Sequence, residues 1–119
     1  MGKLLIHITT GPDNPTKAAL AFLVASTALK EGHSVNLFIA GDGVALLKPD
    51  VLNSVEGIGT GKLSVHLDKL RQDARIYVSG MSAKARGLDE SILSGIQAEF
   101  AMPDKLLRLT FECDRVLCY

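Results

Sequence analysis

Val78-Ser79-Gly80-Met81-Ser82-Ala83-Lys84-Ala85-Arg86-Gly87-Leu88 decides how this chain is read. The residues just ahead, Arg75 to Val78, predict a short strand, and the stretch from Ser79 to Gly87 predicts a turn that opens a helix. Strand, glycine-bearing turn and helix form the repeating unit of an open α/β sheet. Such sheets bind ligands outside the carboxyl ends of their strands, where this turn belongs.

The same alternation extends in both directions. Lys3 to Thr9 predicts strand one, a continuous apolar run ending in turn residues. Asn14 followed by Pro15 marks a helix start, a side-chain cap and then proline at the first helical position. That helix runs to about Lys30, and Gly32 stops it. Ser34 to Ala40 predicts strand two, and Gly41-Asp42-Gly43 turns the chain into a short helix near Val44 to Leu47. Residues 48–61, with Pro49 and three glycines, read as a loop, followed by a helix over Lys62 to Gln72. Past Gly87 a fourth strand is expected within Gly95 to Met102. Pro103 starts the last helix, and Arg115 to Tyr119 forms strand five. Strands alternating with helices imply parallel pairing. The expected fold is a flavodoxin-like three-layer α/β sandwich with a five-stranded, mainly parallel sheet, formed by one domain over residues 1–119.

Composition agrees and removes several function classes. Hydrophobic residues make up 47% of the chain and aromatics 5%, with no Trp, which suits an aliphatic core around a parallel sheet. Thirteen acidic and thirteen basic side chains cancel without any block of like charge. That leaves no electrostatic footprint for nucleic acid, and stacking aromatics are too few for RNA. No run reaches the roughly 18 to 20 apolar residues of a membrane span. Leu4-Leu5-Ile6-His7-Ile8 is too short for a signal core, and Ile6 stands where a myristoylation motif wants Ser or Thr. The expected location is the cytoplasm, with both cysteines reduced.

The first helix is apolar almost all round at Ala18-Ala19-Leu20-Ala21-Phe22-Leu23-Val24-Ala25. A helix of that kind is covered on every side. In so small a domain a second subunit is the expected outer cover, which predicts a homo-oligomer.

Nearly the whole chain resembles the DsrE/DsrF-like family. The resemblance rests on the opening strand with Gly11-Pro12-Asp13-Asn14, on Val35-Asn36-Leu37-Phe38-Ile39-Ala40-Gly41-Asp42-Gly43-Val44, and on Asp114-Arg115-Val116-Leu117. Its most distinctive part is Ala83-Lys84-Ala85-Arg86-Gly87-Leu88. The resemblance implies homotrimers or homohexamers and a place in intracellular sulfur relay, with a sulfur-relay protein as a possible partner. It also implies a sulfur-carrying cysteine after strand three, where this chain has Ser79. A thiolate accepts sulfur as a persulfide because it is soft and ionises near neutral pH. A hydroxyl stays protonated and forms no relayable persulfide, so sulfurtransferase activity at residue 79 is not expected.

The surrounding residues still suit a small anion. In a 2-1-3-4-5 strand order, Asp13 and Asn14 lie across a crevice from Ser79, Gly80 and Ser82. Backbone N–H groups at the helix start, with Lys84 and Arg86, would attract negative charge. Alternatively, Ser79 and Ser82 cap the helix, the cations are solvated, or Arg86 pairs with a carboxylate across a subunit contact. Cys113 and Cys118 are the remaining thiols; at C-x4-C spacing they read as small buried hydrophobes, with Cys113 as the minority candidate for a displaced sulfur carrier.

Two motifs fall short. Gly57-Ile58-Gly59-Thr60-Gly61-Lys62 is one residue too short for a P-loop and has Leu63 where Ser or Thr is needed, so it reads as a flexible loop. Gly80-Met81-Ser82-Ala83-Lys84 lacks the second glycine of a nucleophile elbow, and no histidine follows His66. His7 could face the crevice as a base or rest in the core; His33 lies at the far end of the sheet, and His66 has no evident ligand partner. No metal site and no cofactor are indicated. The candidates are therefore an accessory protein that binds a small anion or a relay partner, a carrier using Cys113, or a structural assembly protein.

Overall fold

The computed structural model describes residues 1–119. Along the chain run β1 (Lys3–Ile8), α1 (Pro15–Lys30), β2 (Ser34–Ile39), a 3-10 segment (Gly41–Leu47), α2 (Pro49–Leu52), β3 (Glu56–Gly57) and β4 (Gly61–Lys62). Then follow α3 (Leu63–Leu70), β5 (Arg75–Ser79), α4 (Gly80–Ala85), a 3-10 turn (Glu90–Leu93), β6 (Ala98–Ala101), α5 (Pro103–Glu112) and β7 (Arg115–Cys118). The main sheet has five parallel strands in the order β6-β5-β2-β1-β7. It is an α/β sandwich, as the alternation of elements predicted.

The strand order is not the expected 2-1-3-4-5. Counting only the main sheet, the chain steps outward from the first strand to the second, third and fourth, and the fifth returns to the first strand's free side. The first strand pairs with the second, Lys3 opposite Ser34 through Ile8 opposite Ile39, so the second strand separates the first from the third. Local patterns name strands but not their neighbours, since any parallel pair joined by a crossover satisfies the same alternation.

Alternation along each strand gives the sheet two unlike faces. Ile6, Ile8, Val35, Leu37, Ile39, Ile76 and Val78 meet α1, α3, and Ala83 of α4 in the larger core. Leu5, Phe38 and Tyr77 point the other way and meet Leu109 of α5 in a much smaller cluster. One face is thus closed by several helices and the other by a single helix.

The two sides of α1 show what actually covers it. Ala18, Ala19, Ala21, Phe22 and Ala25 are buried. Within the chain the cover comes from α3 and from the β3–β4 hairpin, while Leu20, Leu23 and Val24 stay half-exposed. The Ile58 N–H donates to Thr16 Oγ1 at 3.0 Å, and the Thr60 hydroxyl donates to the Thr16 carbonyl at 3.0 Å. Gly57 permits this approach, because a Cβ there would stand 2.9 Å from Thr16 Cα. The expected loop over 48–61 is therefore α2 plus half of an ordered hairpin, and the P-loop-like segment is its turn. His66, buried on α3, holds the hairpin from below, with Nε2 2.7 Å from the Thr60 carbonyl oxygen.

Phe22 is fully buried at the centre of the larger core. Phe22→Ala is expected to lower folding stability by about 3–5 kcal/mol, read from urea denaturation.

Candidate functional site

Three loops meet at the carboxyl edge of the sheet, those leaving β1, β2 and β5. The first packs directly on the second: a Cβ on Gly11 would lie 2.9 Å from both Cβ and the carbonyl oxygen of Asp42, so only glycine lets the loops close. The second is tied to the third. The Gly41 N–H donates to Ser82 Oγ at 2.9 Å, and the Arg86 Nη2 donates to Asp42 Oδ1 at 2.7 Å. Arg86 Nη1 also donates to the Ser82 carbonyl at 3.1 Å.

Most of the candidate residues come together here, but not as a crevice with Asp13 and Asn14 opposite Ser79. The Gly41–Gly43 turn lies between them, following from the strand order. Ser79, only 8% exposed, accepts a hydrogen bond from the Ser82 N–H at 3.1 Å and caps α4. Gly80 is the first residue of that helix. Asn14 Oδ1 accepts from the Lys17 N–H at 3.2 Å and caps α1. Asp13 is exposed beside Gly11. Arg86 pairs with a carboxylate of its own chain, Asp42. Of the two expected cations only Lys84 is exposed and free of an ion pair. Asp42 is the residue that sequence reasoning missed; its glycine-flanked position marked a turn but carried no sign of a partner 44 residues away.

The sequence pattern that defines the DsrE/DsrF-like family matches residues 2–119. This chain belongs to the DsrE/DsrF-like family. Among similar proteins, the uncharacterized protein MJ0989 of Methanocaldococcus jannaschii is 30% identical over 118 residues, covering 98% of this chain and 99% of its own. The uncharacterized protein MK0008 of Methanopyrus kandleri is 30% identical over 121 residues, with coverages of 98% and 93%. A third, MJ0760 of Methanocaldococcus jannaschii, is 34% identical over 92 residues, but this chain spans only 34% of its length. The crystal structure of the ychN protein from E. coli superposes with a TM-score of 0.79 at 18% identity, over all of both chains. That of MTH1491 from Methanobacterium thermoautotrophicum, a protein of unknown function, gives 0.68 at 16% identity over 98% of each. At those identities the likeness is one of fold.

Beside this DsrE-like junction, on the α5 face, His7 packs edge-on against Phe38 with ring centroids 6.0 Å apart. Its Nε2 is buried without a hydrogen-bond partner. The thiols lie elsewhere. Cys118, on edge strand β7, is exposed rather than buried as expected, and Cys113 caps the end of α5 half-buried. The Asn36 amide donates to Cys113 Sγ at 3.8 Å, while burial pushes this thiol's pKa above its ordinary value, partly offset by nearby Lys3.

Burial holds the His7 imidazole pKa below its ordinary 6.5. As pH falls through about 6.5, the unfolded chain takes up a proton that the folded chain does not. Folding stability is therefore expected to fall as pH drops through that region and to level off below the folded-state pKa. Urea unfolding between pH 7.5 and 5 should show a steeper loss for the native chain than for His7→Gln; equal slopes would refute the assignment.

Proposed function

We propose that this protein is a non-catalytic accessory member of the DsrE/DsrF-like family, which serves cytoplasmic sulfur relay without itself carrying persulfide at residue 79. The observation behind this reading is the state of Ser79. Its oxygen is an N-cap, a role a hydroxyl performs well, and it cannot hold a transferable sulfur atom. With Ser82 and Arg86 engaged in holding the β2 turn, Lys84 is what this edge offers a small anion, and the exposed Asp13 adds a charge for a relay partner.

Self-association is the second part of the proposal, and it uses a different surface from the one the sequence suggested. On the outer side of α5, Leu107 is 60% exposed and Phe111 87%. Edge strand β7 adds Val116 and Leu117, both exposed, beside backbone groups with no neighbour on that side. An apolar helix face beside an unpaired edge favours a covering copy. A trimer or hexamer built on this surface would leave the Ser79 edge accessible.

A competing reading, a carrier using Cys113, draws on the basic side chains near that thiol. Its raised pKa counts against it, because the thiolate is the nucleophile.

Intact mass after incubation with a persulfide donor separates these readings. The native chain is expected to gain no reducible sulfur, whereas Ser79→Cys gains one atom at residue 79. A one-sulfur adduct on native Cys113 would overturn the accessory reading in favour of the carrier. By light scattering the native chain is expected to be a trimer or hexamer and Phe111→Asp a smaller species; a native monomer would sink the assembly proposal.

A further inference from the structure

The opposite edge of the sheet, where the strands begin, carries a second feature. Here α5 crosses the sheet and leaves a cavity of about 290 Å³ beneath it. Lys3 of β1 and Arg75 of β5 line its floor, and Lys105 and Glu112 of α5 its roof. Three cations therefore face one carboxylate. None of the three takes part in an ion pair within the chain. Lys105 Nζ instead sits 5.0 Å from the centroid of the Tyr77 ring.

The inner wall is polar where a sheet face should be apolar. Tyr77 and Asn36 both line the cavity, although they are only 6% and 8% exposed. The Tyr77 hydroxyl has no hydrogen-bond partner in the chain. The Asn36 amide has only the long contact to Cys113 Sγ, leaving a second amide proton unused. These two largely buried side chains thus present unpaired polar atoms to the cavity, where an occupant can bond them. A second cavity, also about 290 Å³, opens beside the first and shares Arg75 and Tyr77.

We infer that the cavity under α5 is a binding site for a small oxyanion of phosphate-like shape. Lys3, Arg75 and Lys105 supply the charge, and Tyr77 and Asn36 the directed donors. Glu112 lines the cavity, Asp114 accepts from the Lys3 N–H at 2.8 Å and Glu99 lines the adjoining space, so the three cations favour an anion without fixing its charge. At roughly 30 Å³ per water the space holds about ten waters, enough for an oxyanion on a small organic body. The site lies at the other end of the strands from Ser79, and it does not depend on the reading of that residue. Cys113 lines the cavity, so an occupant shields its thiol.

That shielding supplies the test. Iodoacetamide alkylation of Cys113 and Cys118 is followed by peptide mass in inorganic phosphate and in chloride of matched ionic strength. With phosphate at four times its dissociation constant, Cys113 alkylation should slow about fivefold by mass action while exposed Cys118 is unchanged. Arg75→Gln combined with Lys105→Gln should abolish the protection, and Lys84→Gln should keep it. Equal slowing of both thiols, no slowing, or protection that survives the double substitution would overturn the site. Should the double variant not fold, a phosphate titration of the native chain by amide NMR decides. Saturable shifts at Ser34, Asn36 and Arg75 support the site, and their absence refutes it.

Discussion

Parallel pairing is the constraint on which the rest of this structure depends. Parallel strands cannot be joined by tight turns, so each connection must cross a face of the sheet and cover it. Four such connections serve five strands, and they are unequally divided. The first three step in one direction and put α1, α3 and α4 against one face, where Phe22 and the leucines of α3 complete the main core. The last connection runs back to the free side of β1 and leaves α5 alone on the other face. The large core, the thinly covered face and the exposed edge strand all follow from that single reversal of direction.

The two edges of the sheet consequently differ. At the carboxyl edge three loops lock together through Gly11 against Asp42, Gly41 to Ser82, and Asp42 to Arg86. The Arg86–Asp42 pair is partly exposed, so its contribution to stability is small, and its main effect is to set the position of the β2 turn. Ser79 belongs to this lock as a helix cap. The local shape at the start of α4 is thus kept by a side chain that caps the helix. At the amino edge a single helix cannot fill the space over five strands, and the gap beneath it collects basic side chains and two buried polar groups.

Much of the fold was legible in the sequence. Asn14-Pro15 marked the start of α1, Pro103 that of α5, and the apolar run at Lys3–Ile8 gave the first strand, because caps, proline and hydrophobic period act between near neighbours. The all-round apolar character of α1 was read as burial on every side, whereas in the structure Leu20, Leu23 and Val24 remain half-exposed. The hairpin over Glu56–Lys62 that packs on this helix was not foreseen, because the glycines of residues 48–61 read as a loop. Glycine at position 57 signals not looseness but the close approach of two backbones.

The sequence by itself determined the class of fold and the presence of a hydroxyl at Ser79 that can cap a helix, both properties of residues a few positions apart. Only the tertiary structure decided the strand order, the pairing of Arg86 with Asp42, the covering of α1 and the gathering of Lys3, Arg75 and Lys105 around one cavity. Those depend on residues tens of positions apart that meet because crossovers bring strands side by side. Local composition carries no record of which strand becomes whose neighbour, so charges that look dispersed along the chain can converge in space.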